Sequence, residues 1–113
     1  NSTTRKQILE ISMEYIRFLV KNSYFRSIIM LKDDQFDNEY ERLRGQLSRI
    51  SRELVGKYCR EVNMPEKVAR RKTYVVRSLI YGAALMFDNG ELEYTDENMQ
   101  AVSDTIDREF DLP

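Results

Sequence analysis

The sequence predicts an all-α fold, a five-helix bundle, on three observations. Gly and Pro are scarce, with four and two in 113 residues, too few for the many tight turns of an all-β domain. Apolar residues recur at spacings of three and four in nearly every long segment, the period of an α-helix. One stretch, Tyr74 to Phe87, is apolar on two faces at once. Val75, Leu79, Gly82 and Met86 repeat on one face; Val76, Ile80, Ala83 and Phe87 repeat on another. A surface helix needs a single apolar stripe. A helix with two must be covered on two sides, and in a chain this short the second cover is expected to be another copy of the chain.

The first helix is expected from Thr4 to Lys21, with Ser2, Thr3 or Thr4 as N-cap. Its inner stripe is Ile8, Ile11, Tyr15, Phe18 and Leu19, widened by Met13, Ile16 and Val20. A short second helix follows, capped by Asn22 or Ser23, with Tyr24, Phe25, Ile28, Ile29 and Leu31 on its apolar side. Lys32-Asp33-Asp34 reads as a loop. The third helix runs from Asp37 to Val62. Phe36, Tyr40, Leu43, Leu47, Ile50 and Leu54 alternate spacings of four and three, a heptad seam continued by Tyr58 and Val62. Gly45, Ser48 and Ser51 lie beside it and permit a close helix contact.

Asn63-Met64-Pro65-Glu66 reads as a stop and restart, with Asn63 capping, Pro65 in the first turn and Glu66 reaching back. The fourth helix covers Pro65 to Phe87. Asp88-Asn89-Gly90 ends it, with Asn89 or Gly90 in the left-handed conformation. Thr95 caps the last helix, whose narrow apolar stripe is Met99, Val102, Ile106 and Phe110. No internal repeat, low-complexity tract or flexible linker interrupts the chain, so residues 1–113 read as one domain.

The net charge is −1, from 18 basic and 19 acidic residues. A domain that holds duplex DNA by itself usually carries a basic excess. The cluster Lys67, Arg70, Arg71 and Lys72 reads as a solvated helix face. No apolar run approaches the roughly 20 residues of a membrane span, and the segment after Arg5 and Lys6 is amphipathic, unlike a signal peptide. Cys59 has no partner for an internal disulfide, so a reducing, cytoplasmic setting is expected.

Catalytic chemistry is sparse. The chain has no histidine, which removes the commonest general base and metal ligand and excludes Ser-His-Asp and Cys-His catalysis. Cys59 alone makes no zinc site, and beside the seam it reads as a small buried hydrophobe. Gly45, Gly56, Gly82 and Gly90 form no phosphate-binding pattern. Asp33/Asp34 and Asp37/Glu39 suit a loop and a helix start better than a carboxylate site. No enzyme activity, no cofactor and no metal are expected.

Aromatic and sulfur-containing apolar surface remains. Tyr15, Phe18, Met30, Tyr40, Tyr58, Tyr74 and Tyr81 are expected on the inner faces of four helices. They either fill the core, with hydroxyls reaching the surface, or line a mostly apolar cavity whose polar tips fix a ligand. Arg77, one turn before Tyr81, either snorkels along the exposed edge or points into that cavity to pair with an acidic ligand or neighbour. The candidate ligand residues are Tyr15, Phe18, Met30, Leu47, Tyr58, Tyr74, Arg77 and Tyr81. The candidate dimer residues are Val76, Ile80, Ala83, Phe87, Met99, Val102, Ile106 and Phe110.

Tyr15-Ile16-Arg17-Phe18, followed after a gap by Ser23-Tyr24-Phe25-Arg26-Ser27-Ile28-Ile29-Met30, resembles the start of the C-terminal domain of TetR-type transcriptional regulators. There a Tyr-x-x-Phe-like helix end runs into a short helix that commonly opens with Pro. Leu79 to Met86, with Asp88-Asn89-Gly90-Glu91-Leu92 after it, is similar to that family's penultimate helix and the turn that follows. The family often shows Trp-x-x-x-His-Gly there. In this chain Arg77 stands at the Trp position and Tyr81 at the His position, Gly82 matches, and Ser23 replaces the Pro. The resemblance spans most of the chain in order.

The resemblance implies an all-helical domain that binds an effector inside each subunit. It implies dimerisation through the last two helices, which build a four-helix bundle with the partner. It also implies a helix-turn-helix headpiece, which reads the major groove, ahead of residues 1–113, where nothing matches it. DNA would then be bound only through that headpiece, with ligand binding shifting two states through the first helix. The competing reading is a helical dimerisation or interaction module with a filled core and no ligand.

Overall fold

The computed structural model describes residues 3–22 and 38–111, with side chains described for 3–22 and 41–111. Four helices make up the described residues: α1 (Thr3–Lys21), α2 (Asn38–Glu61), α3 (Glu66–Asn89) and α4 (Asp96–Glu109). The all-α class stands. The expected short helix around Tyr24–Leu31, the Lys32–Asp34 loop, and the residues Met30 and Phe36 lie outside the described residues, as does the side chain of Tyr40.

α1 is the central helix and packs against α2, α3 and α4. Ile8, Ser12, Tyr15, Ile16 and Leu19 repeat at helical spacing and are fully buried. Ile11 and Phe18, expected on the same stripe, lie half-buried at its edge. Asn22 closes α1 instead of opening the next helix: its Nδ2 donates to the Phe18 carbonyl at 2.8 Å.

α2 is rotated relative to the expected seam. The side chains it buries are Ser48, Ser51, Val55, Tyr58 and Cys59. Leu43, Ile50 and Val62 are 37%, 38% and 42% exposed, while Leu47 and Leu54 are half-buried. The reason is steric. α2 turns the small Ser48 and Ser51 to the interior, where α1 also buries Ser12, and small side chains of this kind permit close helix packing while the larger seam residues flank them. Ser12 Oγ makes no hydrogen bond, alone among the buried side-chain polar atoms of the described residues.

The junction between α2 and α3 also differs from expectation. Asn63 has φ 56°, the left-handed region that Asn tolerates through its short polar side chain. The Met64 N–H reaches the Cys59 carbonyl at 2.8 Å and the Asn63 N–H reaches Arg60 at 3.2 Å, the double bond of a Schellman end. Asn63 thus terminates α2. Pro65 occupies the N-cap of α3 with no side-chain capping bond. At the other end of α3, Gly90 takes φ 81° as expected. Thr95 caps α4, its Oγ1 accepting from the Asn98 N–H at 3.1 Å.

Two polar clamps lock the helix ends. Arg5 of α1 donates through Nε to Asp107 Oδ1 at 2.6 Å. Its Nη2 reaches Asp111 Oδ1 at 2.6 Å and the Asp107 carbonyl at 2.5 Å. Lys72 of α3 donates to the Glu109 carbonyl at 2.5 Å, with the Glu109 carboxylate at 3.4 Å. Both cations serve the last turn of α4, where free carbonyls and the helix dipole favour positive charge. Among the described residues no helix is long and apolar enough to cross a membrane.

Candidate ligand site: a tyrosine–arginine cluster and the cleft beside it

Three helices each deliver one polar side chain to a single point. The inner stripe of α1 brings Tyr15, which is fully buried. α3 brings Tyr81 and α2 brings Arg44. The two phenol rings meet edge to face, centroids 5.5 Å apart at 70°, a favoured aromatic geometry. Their hydroxyls hydrogen-bond to each other. Arg44 Nη1 donates to the Tyr81 hydroxyl at 2.9 Å and lies 3.5 Å from that of Tyr15.

The other edge of the Arg44 guanidinium is held by Glu41, one turn earlier, with Nη2 3.2 Å from Oε2. Burial works against the Arg44 charge. The Glu41 hydrogen bond and the two tyrosine oxygens outweigh it, so the guanidinium is held protonated more firmly than usual. Burial first, then the Tyr81 hydroxyl, pushes the Tyr15 phenol up to about 12, with Arg44 pulling the other way. Near neutral pH the Tyr15 phenol is therefore neutral, and its chemistry is hydrogen bonding, not proton abstraction.

Tyr81 also lines an open cleft of about 600 Å³ whose described wall consists of Arg70, Thr73, Tyr74, Arg77, Ser78 and Tyr81, all on α3. Thr73 Oγ1 donates to the Ala69 carbonyl at 3.0 Å and Ser78 Oγ to the Tyr74 carbonyl at 2.9 Å. Their hydroxyl protons are spent on the helix, which leaves Arg77 and the exposed Tyr74 hydroxyl as open donors of this described wall. Arg70 lies 4.0 Å from Glu66 in an exposed pairing, and among the described residues Arg77 has no hydrogen bond or ion pair. No carboxylate belongs to this described wall.

The expected ligand residues do not converge on one cavity. Tyr15 and Tyr81 form the cluster; Tyr74, Arg77 and Tyr81 line the cleft. Phe18 and Leu47 sit in a separate groove of about 460 Å³ between α1 and α2, with Leu43, Ile50 and charged rims. Tyr58 is a core residue, its ring edge to face with Phe110 at 5.5 Å and its hydroxyl 3.4 Å from Arg5 Nη1. It is packed among the chain's own helices and faces no cleft described above. Met30 is outside the described residues. Tyr74 is 73% exposed, on the outer face of α3 instead of an inner one.

The expected dimer residues are placed differently again. Val76, Ile80, Ala83, Phe87, Met99, Ile106 and Phe110 are at most 8% exposed in the single chain, and Val102 is half-buried against the same core. α1 and the mutual packing of α3 and α4 already cover this stripe, so it is the face of α3 that the chain covers by itself. Reading the sequence missed Arg44 and Glu41, whose i, i+3 charge pair beside the seam reads as an ordinary surface pair. Cys59 is buried, as expected, and its thiol is pushed up by that burial against the pull of Lys72 and Arg60.

Compared with models of known families, with curated proteins and with solved structures, the chain matches none of them. The likeness to TetR-type regulators rests on the sequence motifs alone.

Proposed function

We propose that this chain is the regulatory domain of a TetR-like transcriptional regulator. In this reading it senses a small organic anion with an apolar body and self-associates to control DNA binding by a headpiece preceding residue 1. One observation carries it. Arg77 presents an unpaired guanidinium to a cleft that shares Tyr81 with the buried cluster, and Tyr81 is tied to α1 through Tyr15 and to α2 through Arg44. An anion paired with Arg77 would lie against the one side chain of the wall that is bonded to both other helices. That gives an occupant a physical route to α1, the helix the headpiece would adjoin.

Titration with anilinonaphthalene sulfonate, a fluorescent aromatic anion, tests this. Saturable binding that weakens about fivefold or more in Arg77→Gln, with helicity unchanged, is the expected result. Equal binding by the variant would leave Arg77 a solvated side chain and end the anion reading. A second reading, a helical interaction module without a ligand, is favoured by the close packing of Tyr15 and Tyr58 within the core. It predicts no saturable binding at all.

A further inference from the structure

α3 has a second apolar face that none of the described helices covers. Lys67, Arg71, Tyr74, Ser78, Gly82, Leu85 and Asn89 follow one another at spacings of three and four, a single stripe on the outside of the helix. Tyr74 is 73%, Leu85 42% and Met86 38% exposed, with Val75 and Leu79 half-buried along the edge. A Cβ built at Gly82 would meet nothing within 4 Å, so the middle of the stripe is open to another backbone. Large apolar side chains scattered singly over a surface are ordinary, but a contiguous patch is an interaction surface.

The charges along this face are arranged in two halves. Lys67, Arg70 and Arg71 are exposed at its start; the only acid there, Glu66, stands beside Arg70. Asp88, Glu91 and Glu93 close its end, the last two exposed. Such a face repels a parallel copy of itself and attracts an antiparallel one. An antiparallel copy crossing near residue 80 sets Ser78 against Gly82, Tyr74 and Val75 against Leu85 and Met86, and Arg71 against Asn89, with Lys67 towards the turn after α3 that carries Glu91 and Glu93. Small residues fall at the crossing, where backbones approach most closely, and apolar ones flank it. Opposite charges fall at both ends. A two-fold contact is isologous, so every such pair occurs twice. The outer face of α4, by contrast, carries Gln100, Ala101, Asp104, Thr105 and Arg108 and offers little apolar area.

We propose that a second copy of this chain docks antiparallel on the outer face of α3, about a two-fold axis near Ser78 and Gly82. This names the surface and direction of the self-association in the reading above and rests on it. It departs from a bundle built on the stripe Val76, Ile80, Ala83 and Phe87. Because Tyr74 and Ser78 border both the stripe and the Arg77 cleft, the cleft would open at the rim of the interface.

Sedimentation equilibrium of the full chain tests the proposal. A dimer is expected, weakened about tenfold or more by Leu85→Asp with helicity retained, since Leu85 is exposed in the single chain. Arg71→Glu should weaken it, and Arg71→Glu combined with Glu91→Arg should restore it, because an antiparallel copy, unlike a parallel one, brings Arg71 to the end of α3 whose following turn holds Glu91. A monomeric wild type, a dimer indifferent to Leu85→Asp, or a double swap no better than the single one would each overturn the proposal. Anilinonaphthalene sulfonate binding by the wild type separates the two readings. If a monomeric wild type binds the anion, the docking face fails and the ligand cleft stands; a dimer that binds no anion gives the reverse.

Discussion

The Tyr15 and Tyr81 hydroxyls bond to each other at the meeting point of α1 and α3, with the Arg44 guanidinium closing the triangle from α2. Each phenol is a donor or acceptor that the other satisfies. Removing one hydroxyl leaves its partner under-satisfied, so Tyr15→Phe and Tyr81→Phe should each cost about 1 kcal/mol. The double variant should cost less than the sum. A strictly additive pair in urea denaturation would mean that the hydroxyls do not depend on each other.

The buried Tyr15 phenol makes stability depend on alkaline pH. An unfolded tyrosine ionises near pH 10, whereas folded Tyr15 is pushed up to about 12. Between those values the unfolded chain releases a proton that the folded chain keeps. Stability from this source is complete below about pH 10 and is lost as pH rises towards 12, by something on the order of 2 kcal/mol. Denaturation midpoints measured across that window for wild type and Tyr15→Phe should diverge, with the variant falling less steeply. Parallel curves would contradict the burial of the Tyr15 phenol.

Arg5 of α1 reaches both Tyr58 of α2 and Asp107 of α4. Arg5→Met keeps its apolar stem but loses the bonds to Asp107 and its carbonyl, and should cost about 1–2 kcal/mol. The Asp111 contact contributes little of this, because that carboxylate is 64% exposed and screened by solvent. Arg5→Lys should recover only part of the loss, since an ammonium cannot match the fork geometry. A denaturation midpoint for Arg5→Met equal to that of wild type would remove the clamp from the account.

Asn63 and Gly90 both end helices with positive φ. Asn63→Gly should be neutral or slightly stabilising in thermal melts, while Asn63→Ala should cost about 1 kcal/mol and a β-branched residue more. Gly90→Ala should cost a similar amount. If Asn63→Ala were as stable as Asn63→Gly, the chain at this junction would not be left-handed.

The two faces of α3 should answer differently to the same truncation. Ile80→Ala empties a site that is 0% exposed and should cost about 2–4 kcal/mol in the unfolding of the single chain. Leu85→Ala should change that stability by less than about 0.5 kcal/mol. The reverse order in denaturant titrations at high dilution would exchange the inner and outer faces.

Much of this architecture was legible because it follows from periodicity and local capping. Thr95 and Gly90 end their elements as their chemistry dictates, and the burial of Ile8, Tyr15 and Leu19 follows from their spacing. What periodicity could not decide was which of two equally apolar stripes on α3 turns inward. Val76–Phe87 and Val75–Met86 are nearly matched in hydrophobicity, and only contact with α1 breaks the tie. On α2 the pattern pointed to the large residues of the seam, yet close packing selected the small ones, Ser48 and Ser51, because backbone proximity cannot be read from side-chain size. Arg44 escaped notice because its significance arises from tyrosines remote in sequence.

The central position of α1 has a consequence for how the molecule opens. Its packing against all three other described helices means that no neighbour can peel away without exposing part of it, whereas α1 can lose its own amide protection only when every interface fails. Its interior amides should therefore exchange with solvent only through global unfolding, while the last turn of α4, at the edge of the bundle and held by Arg5, Lys72 and the buried Ile106 and Phe110, opens through smaller fluctuations. The bundle is thus organised by depth: a slow axis, with a periphery that breathes around it.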